Sequence, residues 1–438
     1  MKVLKFGGTS VGSADRMKKV AELIPAGEPL IVVLSAMAGT TDRLVEIASC
    51  LYNKDHTQAG DKINRLEENY FQVVGELFSV PSYRKKGKEL IHSHFEYIRS
   101  FTRDLFTMFE EKVILAQGEL ISTALFHMYL EEKGVPAVLL PALHFMRIDK
   151  DHEPDEFYIR ENLQRELEKY PGKRLFITQG YICRNAFGDI DNLKRGGSDY
   201  TASLIGAAVK AEEIQIWTDV DGMHNNDPRY VKNTRPVEQL SFEEAAELAY
   251  FGAKILHPTS IQPARKFNIP VRLKNTLNPA SQGTLISERT AGNGRITAIA
   301  AKDSITAIRI KSTRMLLAYG FLRKVFEIFE SYRTPIDMIS TSEVGISLTI
   351  DQTEFLEKIV KELKKYGTVE VDQNQVIICV VGDLIASNRG MAFRVFQALR
   401  DIPIRMISYG GSNHNISLLI ASAHKVKALQ SLNDQLFQ

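Results

Sequence analysis

The sequence has little cysteine and no long apolar run, and each absence narrows the kind of protein it encodes. Its three cysteines, Cys50, Cys183 and Cys379, lie far apart, with no CxxC spacing and no histidine nearby at ligand spacing. They predict neither a disulfide framework nor a structural zinc site, and they favour a reducing, cytoplasmic location. No apolar run approaches the roughly 20 residues of a membrane helix, and the N-terminus shows no secretory signal pattern.

An excess of charge of one sign is also absent. The 438 residues carry 55 Lys and Arg against 53 Asp and Glu, a formal charge of 55 − 53 = +2. This balance gives no global field to attract nucleic acid, which is therefore not a predicted partner. A chain of this length exceeds one ordinary hydrophobic core, so two or three domains are expected.

Short apolar runs alternate with amphipathic helical patterns over the first two thirds of the chain. Helical spacing covers Ser13–Ile24 and most of 61–133. The runs that predict strands are Val3–Phe6, Pro29–Leu34, Val135–Leu140, Arg174–Thr178, Ile214–Thr218 and Pro270–Leu273. This alternation predicts an α/β domain with a mostly parallel sheet, whose ligands bind at the carboxyl ends of the strands.

A polar, glycine-bearing linker at 288–294 precedes an internal repeat. The paired segments are Gly320–Phe326 with Gly390–Phe396, Ile336–Ser340 with Ile404–Ser408, and Ile346–Ile350 with Ile416–Ile420. Their offsets of 70, 68 and 70 residues, in one order, indicate two copies of a module. Each copy reads as the ferredoxin-like βαββαβ pattern, which either binds a regulator or only mediates association.

The first polar segment that follows a predicted strand is Lys5–Ser10. Gly7 and Gly8 have no Cβ, so backbone N–H groups there can approach a phosphate closely, and a helix N-terminus follows. Lys5 can reach a transferred phosphoryl group as a point charge. The spacing of a Walker A loop is absent, and an ordinary tight turn is the alternative.

The second glycine turn, Arg195–Thr201, precedes a helix of small residues. Arg195 can hold a carboxylate through two parallel hydrogen bonds, and Asp199 can orient a cation such as Lys5 or a metal ion. The alternative is a helix that is capped by Ser198 or Asp199.

The third segment runs from Trp217 to Arg229 and contains a Thr-Asp pair at the end of a predicted strand. Thr218 and Asp219, together with the later Asp227-Pro228-Arg229, can hold a nucleoside and its phosphates. An acidic surface turn is the alternative.

These segments, with Ser35–Leu44, Gly118-Glu119 and Phe251–Pro258, stand in the order and spacing of the aspartate kinases, a family that the whole chain closely resembles. The combination of KFGGTS, RGGSDY and FGAKILHP is highly specific, although each piece alone is not. The repeat is similar to the tandem ACT domains of this family. The resemblance is to the monofunctional, lysine-sensitive type.

The resemblance implies an amino-acid-kinase fold, an α/β sandwich, over residues 1–290. Tandem ACT domains would follow over 300–438, the first at about 305–372 and the second at about 375–438, possibly interleaved. The implied reaction moves the γ-phosphoryl group of ATP, with Mg²⁺, to the β-carboxylate of L-aspartate. Its products would be ADP and 4-phospho-L-aspartate, the first step of lysine, threonine and methionine biosynthesis.

The resemblance also implies a role for individual residues, and no metal ligands among them. Lys5 and Asp199 would be catalytic. Glu119 would bind the α-amino group of the substrate and Arg195 its α-carboxylate. The implied substrate residues are Ser35, Thr41, Glu119, Arg195 and Ser198. The implied nucleotide residues are Lys5, Gly7, Gly8, Thr218, Asp219, Arg229, Lys254 and Ile255.

Elementary chemistry agrees with this reaction. Phosphoryl transfer depends on positioning and electrostatic stabilisation rather than on a covalent nucleophile. A carboxylate acceptor is already ionised at neutral pH, so it needs no general base. The ten histidines accordingly show no triad-like arrangement.

The chain departs from the family pattern at several positions near the predicted site. Asp191-Asn192-Leu193-Lys194 stands where Thr-Thr-Leu-Gly is usual, and Asp42 stands where Asn is usual. His224 replaces a tyrosine before the Asp-Pro-Arg segment. The first two changes bear on substrate affinity and the third on contacts with the adenine.

Regulation by lysine is expected from positions that match the effector site of lysine-inhibited members. These are Met315, Ala318, Phe321, Leu322, Ile336, Asp337, Ser342 and Glu343, with Ala318 in place of a serine. Threonine or no effector are the alternatives. Paired ACT modules imply a homodimer or homotetramer, and a fused dehydrogenase domain is not expected.

Two other functions remain open from the residues. The first is a related kinase for glutamate, N-acetylglutamate or UMP, although such relatives generally lack tandem ACT modules. The second is a catalytically silent amino-acid sensor, which the presence of Lys5, Glu119 and Asp199 disfavours.

Overall fold

The computed structural model describes residues 1–25, 27–103, 105–193, 196–252, 256–288, 294–312, 319–383 and 387–437. The chain forms two compact units. The N-terminal unit comprises Met1–Met223 and Ile255–Glu288, and the C-terminal unit comprises His224–Lys254 and Arg289–Gln438. The predicted domain bounds remain a prediction, and residues 224–254 pack with the C-terminal unit.

The strands are short except for two in the C-terminal unit. In chain order they are β1 Lys2–Phe6, β2 Leu30–Leu34, β3 Val138–Leu140, β4 Leu175–Gln179, β5 Ile182–Arg184, β6 Ile190–Asn192, β7 Ile214–Thr218, β8 Gln239–Ser241, β9 Val271–Asn275, β10 Thr284–Ser287, β11 Ile296–Lys311, β12 Ile339–Thr341, β13 Gly345–Ile350, β14 Thr368–Gly382, β15 Met406–Tyr409 and β16 Asn415–Ala421.

Helices connect these strands. They are α1 Ala14–Leu23, α2 Thr40–Tyr52, α3 His56–Leu77, α4 Pro81–Ser100, α5 Met108–Glu132, α6 Glu156–Glu168, α7 Gly197–Val209, α8 Phe242–Tyr250, α9 Gln262–Lys266, α10 Phe321–Ser331, α11 Leu356–Leu363, α12 Met391–Ala398 and α13 Lys425–Leu436. Short 3₁₀ turns lie at Ala142–His144, Pro258–Ile261 and Ser422–His424.

In the N-terminal unit the strands run in the order β3-β4-β2-β1-β7-β9-β10. All neighbours are parallel as far as β9, and β10 is antiparallel to it. Every residue of β2, with the sequence LIVVL, is buried, as expected for a strand covered on both faces. The mostly parallel sheet that the sequence predicts is therefore confirmed.

The register aligns the ends of the central strands. Phe6 at the end of β1 lies beside Leu34 of β2 and Trp217 of β7, and Leu34 lies beside Gln179 of β4. The loops that follow these four strands consequently emerge at one edge of the sheet, where α/β folds bind ligands.

Sequence pattern misplaces one strand and misses a hairpin. Val135 was expected to begin a strand, but its N–H donates to Leu130 O and closes the end of α5 through Gly134, whose φ is +72°. Strand β3 therefore covers only Val138–Leu140. The antiparallel pair β5 and β6 has three residues in each strand, too few for a periodic pattern.

Helix α5 is the central helix of the N-terminal unit. It is long and apolar enough to cross a membrane, but 72% of its most apolar window is buried within the protein. It packs among residues of the sheet and of the other helices, including Leu34, Leu44, Tyr70 and Phe95. The sequence predicts helix in this region but does not show that this helix is the buried central one, because burial is a tertiary property.

The C-terminal unit contains a six-stranded sheet in the order β12-β13-β11-β14-β16-β15. Strands β11 and β14 pair along nearly their whole length, with shifts of register between Lys302 and Ala307. Strand β13 pairs with residues 306–311 of β11, and β16 pairs with residues 375–381 of β14. Each long strand therefore serves two ferredoxin-like modules.

The two modules are interleaved along the chain. The first uses the second half of β11, then α10, β12, β13 and α11, and the first half of β14. The second uses the rest of β14, then α12, β15, β16 and α13, and is completed by the first half of β11. The repeat is visible in detail, since Gly320 and Gly390 precede α10 and α12 with φ of +79° and +76°.

Equivalent core positions of the two modules should contribute equally to stability. Val325 and Val395 are both fully buried, one in each module core. We expect Val325→Ala and Val395→Ala each to lower the free energy of unfolding by about 2 kcal/mol, because each removes two buried methyl groups and leaves a cavity. Denaturant-induced unfolding measures this, and Phe393→Ala at an exposed position is the control. A loss of stability in only one of the two valine variants would contradict equivalent packing of the two modules.

Candidate active site

Lys5 and Asp199 form an ion pair at the carboxyl edge of the N-terminal sheet. The Lys5 ammonium lies 2.7 Å from Asp199 Oδ1, and the two side chains are only 11% and 16% exposed. Lys5 points from β1, and Asp199 lies in the first turn of α7. An ammonium in this position is held in place and can face an anion at the edge of the sheet.

The turn after β1 brings the backbone close to this pair. A Cβ on Gly7 would lie 3.4 Å from the Lys5 ammonium, and one on Gly8 would lie 3.0 Å from the carbonyl oxygen of Ala36. The N–H groups of Ser10 and Val11 both donate to Gly7 O. A side chain at position 8 would therefore press on the backbone of the loop after β2, whereas one at position 7 would only contact the Lys5 ammonium.

Helix α7 starts without a side-chain cap. Its N-cap is Gly196, with φ of +78°, and Gly197 follows with φ of +39°. The alternative in which Ser198 or Asp199 caps the helix is therefore wrong, since both lie within its first turn. Ser198 Oγ instead accepts a 2.9 Å hydrogen bond from Ser35 Oγ, which joins the loop after β2 to α7.

Glu119 is a buried carboxylate with one oxygen unused. It is 3% exposed on α5, and its Oε1 accepts a 3.2 Å hydrogen bond from the backbone N–H of Ala36. Its Oε2 has no hydrogen-bond partner among the described residues. Burial raises the pKa of Glu119 to about 7, against which the Ala36 hydrogen bond works. A cationic group at Oε2 would satisfy this carboxylate.

The approach of α5 to the loop after β2 depends on small residues. A Cβ on Gly118 would lie 2.9 Å from Ala36 Cβ. Ser122, one turn after Glu119, donates a 2.6 Å hydrogen bond to Ser35 O. Sequence analysis missed Ser122, although its spacing of three from Glu119 places it on the same face of the helix. Thr41 is half-buried in the first turn of α2.

A narrow cleft lies beside the first glycine turn. Thr218 ends β7 and Asp219 follows it, and Thr218 Oγ1 donates to Asp219 Oδ1 at 3.1 Å. Sequence analysis missed two cations of α1, Arg16 and Lys19, which are three residues apart and so share a helix face. The cleft is lined by Thr9, Ser10, Arg16, Lys19, Asp219, Thr276 and Leu277. Hydroxyl and cationic groups in this arrangement can bind phosphate or sugar oxygens.

The described structure does not test the placement of the other predicted nucleotide and substrate residues at this site. Arg195, Lys254 and Ile255 lie outside the described residues. Arg229 belongs to the C-terminal unit, where its guanidinium binds both carboxylate oxygens of Asp227. The roles of these four residues therefore remain predictions.

The C-terminal unit contains the predicted effector residue Asp337 in a charged cluster. The Asp337 side chain is 1% exposed, and its Oδ1 lies 2.5 Å from the Lys302 ammonium. Lys302 also lies 2.9 Å from Asp351 and 4.7 Å from the centre of the Tyr250 ring. Although burial opposes its charge, hydrogen bonds to Asp337 and Asp351 hold the pKa of Lys302 above its usual value.

The remaining predicted effector positions differ in exposure. Phe321 packs in the core of the first module, Ile336 is half-buried and Leu322 is exposed. Ser342 and Glu343 lie in the turn between β12 and β13, where the N–H of Ser342 donates to Gly345 O. Met315 and Ala318 lie outside the described residues. No described contact tests whether these positions bind a ligand.

Comparison with known proteins agrees with this architecture. A model of the amino acid kinase family matches residues 1–275, and an ACT domain model matches 378–436. The chain is 36% identical to aspartokinase 1, chloroplastic, of Arabidopsis thaliana, across all of this chain and 80% of that protein. It is 32% identical to lysine-sensitive aspartokinase 3 of Escherichia coli K12, across all of this chain and 99% of that protein.

A solved structure is similar over the same extent. The crystal structure of E. coli aspartokinase III in complex with aspartate and ADP has a TM-score of 0.85 to this chain. The two are 32% identical, and each is covered completely by the other.

The buried Glu119 carboxylate should make the stability of the ligand-free protein depend on pH. Its pKa rises from 4.5 to about 7 on folding, so folding favours the protonated form, and stability falls as pH rises through this window. We expect Glu119→Gln to be more stable than the wild type at pH 8, by up to about 3 kcal/mol, and the difference to fall below about 1 kcal/mol at pH 5 and to vanish below about pH 4.5. Denaturant unfolding at pH 5 and pH 8 measures it, with Glu131→Gln, exposed on the same helix, as control.

A difference between wild type and Glu119→Gln that is the same at pH 5 and pH 8 would contradict the raised pKa. An equal change in Glu131→Gln would show that the effect is not specific to the buried carboxylate.

Proposed function

The chain belongs to the amino acid kinase family and, within it, to the aspartokinases, and from this premise we propose how its own residues carry out the reaction. The enzyme is an aspartate kinase, which transfers the γ-phosphoryl group of ATP to the β-carboxylate of L-aspartate. The observation that carries the assignment of its substrate site is the unused oxygen of the buried Glu119 carboxylate.

Glu119 binds the α-ammonium group of aspartate in this proposal. An ammonium at Oε2 would complete the hydrogen bonding of the carboxylate and offset the cost of burying its charge. Ser198 lies across the loop after β2, tied to it through Ser35, and would adjoin the α-carboxylate. Arg195 would hold that carboxylate and Thr41 would line the substrate loop. Glu119 and Arg195 would thus select an amino acid through its ammonium and α-carboxylate groups. The second carboxylate of the substrate then remains available for the reaction.

Lys5 stabilises the phosphoryl group in transfer. The transition state carries its charge on peripheral oxygens, so a fixed ammonium lowers the barrier without forming a bond. Asp199 holds Lys5 in position at 2.7 Å. The β-carboxylate of aspartate is ionised at neutral pH and attacks directly, so no proton has to be removed.

ATP would approach from the cleft beside the first glycine turn. Gly7 and Gly8 would admit its phosphates to the backbone, and Thr218 and Asp219 would contact the nucleoside side, with Arg229, Lys254 and Ile255 as further predicted contacts. Mg²⁺ would accompany the nucleotide and screen its phosphates, because Mg²⁺ prefers phosphate oxygens and waters with one or two carboxylates. The described residues contain no cluster of three or more potential metal ligands.

Lysine is the effector we propose. The name of the E. coli relative includes lysine sensitivity, and Asp337 offers a buried carboxylate in the first ACT module. This carboxylate already binds the ammonium of Lys302, a side chain of the same type as the effector. Lys302 is therefore an internal competitor, and an effector ammonium has to displace it to reach Asp337.

Assembly and location are further parts of the proposal. Strands β12 and β15 form the two edges of the C-terminal sheet, and Ile339, Ile407 and Tyr409 on them are exposed. Exposed apolar side chains on these strands favour association with another chain, here a homodimer or homotetramer through the ACT domains. All three cysteines are free and buried, which fits a reducing compartment such as the cytoplasm.

Aspartate binding should weaken as Glu119 takes up a proton. Measured by ADP release with ATP, Mg²⁺ and L-aspartate, the wild-type KM for aspartate should rise about tenfold per pH unit below pH 7. Glu119→Gln should have a high KM that does not vary with pH. Lys5→Met should lower kcat by about 10²–10³-fold, because it removes the fixed charge that acts in the transition state.

L-Glutamate in place of L-aspartate is the control for substrate choice. Turnover that depends on glutamate and not on aspartate would contradict the substrate assignment, and folded protein that binds ATP without turnover would favour a sensor.

Removal of the internal competitor should raise sensitivity to lysine. We expect Lys302→Met to lower the lysine concentration for half inhibition by about tenfold or more, since a hydrogen bond to a charged group contributes about 1.5–3 kcal/mol. Lys324→Met, at an exposed position of α10, is the matched control and should leave inhibition unchanged. Unchanged inhibition in Lys302→Met would refute the competition, and a wild type and variant both indifferent to lysine would refute lysine as effector.

A further inference from the structure

An ion pair with a buried carboxylate ties the helix that carries Glu119 to the β5–β6 hairpin and has no role in the mechanism above. The Lys112 ammonium lies 2.6 Å from Asp191 Oδ2, with side-chain exposures of 20% and 2%. Lys112 is in the second turn of α5, and Asp191 is the middle residue of β6. Asp191 is also the first residue of the segment that departs from the family pattern of Thr-Thr-Leu-Gly.

The Asp191 carboxylate is held from both sides. Its Oδ1 accepts a 2.7 Å hydrogen bond from the backbone N–H of Asn192, and its Oδ2 takes the Lys112 ammonium. Residue 191 faces Cys183 across the β5–β6 hairpin, and the buried Cys183 thiol supplies no opposite charge. A carboxylate this deeply buried is unfavourable without a counter-charge, so Lys112 is required for the hairpin to lie where it does.

The pair joins the helix that carries Glu119 to the hairpin that precedes the turn at the start of α7. Helix α5 carries Glu119 seven residues after Lys112, two turns along and on the same face. Strand β6 ends at Asn192, and α7 begins at Gly197 with Ser198 in its first turn. The distance between the ammonium-binding group and the α7 turn therefore depends on how β6 is fixed to α5.

The base of the hairpin is fixed to α7 as well. The N–H of Leu193 donates to Tyr181 O at 2.8 Å, and the N–H of Tyr181 donates to Thr201 Oγ1 on α7 at 2.9 Å. A Cβ on Gly197 would lie 3.5 Å from the Tyr181 ring. A displacement of the hairpin would accordingly be passed to the turn at the start of α7.

We propose that Lys112 and Asp191 are positioning residues that set the affinity of the enzyme for its amino-acid substrate. Their ion pair fixes the spacing between Glu119 and the α7 turn, and a substrate with an ammonium and a carboxylate at a set separation requires that spacing. The nucleotide cleft lies beside the first glycine turn and is lined by neither residue. This inference rests on the proposed function, in which Glu119 and the α7 turn bind the two ends of aspartate.

Steady-state kinetics of the full-length enzyme test the proposal with Lys112→Met, Asp191→Asn, the double variant and Lys112→Arg. Each single neutral variant leaves one buried charge unpaired and should raise the KM for aspartate at least tenfold. The kcat and the KM for ATP should stay within about threefold, because the phosphoryl-transfer groups are not moved. Lys112→Arg keeps the charge and should restore the KM for aspartate to within about threefold of wild type.

The double variant guards against loss of folding. It buries no unpaired charge, so it should fold, and its KM for aspartate should be raised by less than the product of the two single effects. Glu213→Gln is the matched control, since it breaks the Glu213–Arg272 ion pair. Glu213 directly precedes β7 and Arg272 lies near the start of β9, so this pair is at the opposite edge of the sheet. It should leave the KM for aspartate unchanged.

A purely structural pair gives a different result. The single variants would then lower the thermal midpoint with an unchanged KM for aspartate, or raise the KM for both substrates alike, and either result overturns the proposal. An unchanged KM for aspartate in the folded double variant overturns it too. Absence of aspartate-dependent turnover in the wild type would refute the proposed function together with this inference.

Discussion

Alignment of the carboxyl ends of parallel strands is the constraint on which the N-terminal unit depends. Strands β1, β2, β4 and β7 end at the same level, so the loops after them share one edge of the sheet. Two of these loops carry glycines at points where a Cβ would meet a neighbour at 3.4 Å or less, Gly7 and Gly8 after β1 and Gly180 after β4. Close packing at this edge excludes water, and each charge placed there must find a partner.

The buried charges of the N-terminal unit satisfy this requirement in different ways. Lys5 and Asp199 neutralise each other, as do Lys112 and Asp191. Among the described residues Glu119 accepts one hydrogen bond, from the backbone N–H of Ala36, and burial raises its pKa to about 7. A buried carboxylate with a hydrogen bond to only one of its oxygens is less stable in the ligand-free protein than with a cation bound to it. Folding has already borne the free-energy cost of removing Glu119 from water. Binding of an ammonium group there therefore does not have to meet that cost again.

The C-terminal unit, whose strands pair antiparallel, meets the same need to pair buried charges in another way. Interleaving of the two modules makes β11 and β14 long strands that pair with each other and with one further strand each. Lys302 lies at a register shift of β11, which gives its side chain access to Asp337 and Asp351. The carboxylate that the family resemblance assigns to an effector is thus already paired within the chain. The affinity for an effector in such a site depends on how much more strongly the effector ammonium binds Asp337 than the Lys302 ammonium does. It does not equal the strength of one contact.

The sequence by itself determined the α/β class, the repeat and the identity of the motif residues, because hydrophobic period and glycine turns are local properties. It suggested from the residues that Asp199 orients Lys5 or a metal ion, it added Glu119 to that site only through resemblance to a family, and it showed Asp191 as no more than a departure from a pattern. Only the tertiary structure decided that Asp191 pairs with Lys112, that one Glu119 oxygen is free, and that Lys302 meets Asp337. Each of these depends on which elements of the fold lie side by side, since the partners are separated by 79 residues in the first case and 35 in the last. Burial and pairing of charge are properties of that packing, and spacing along the chain does not encode them.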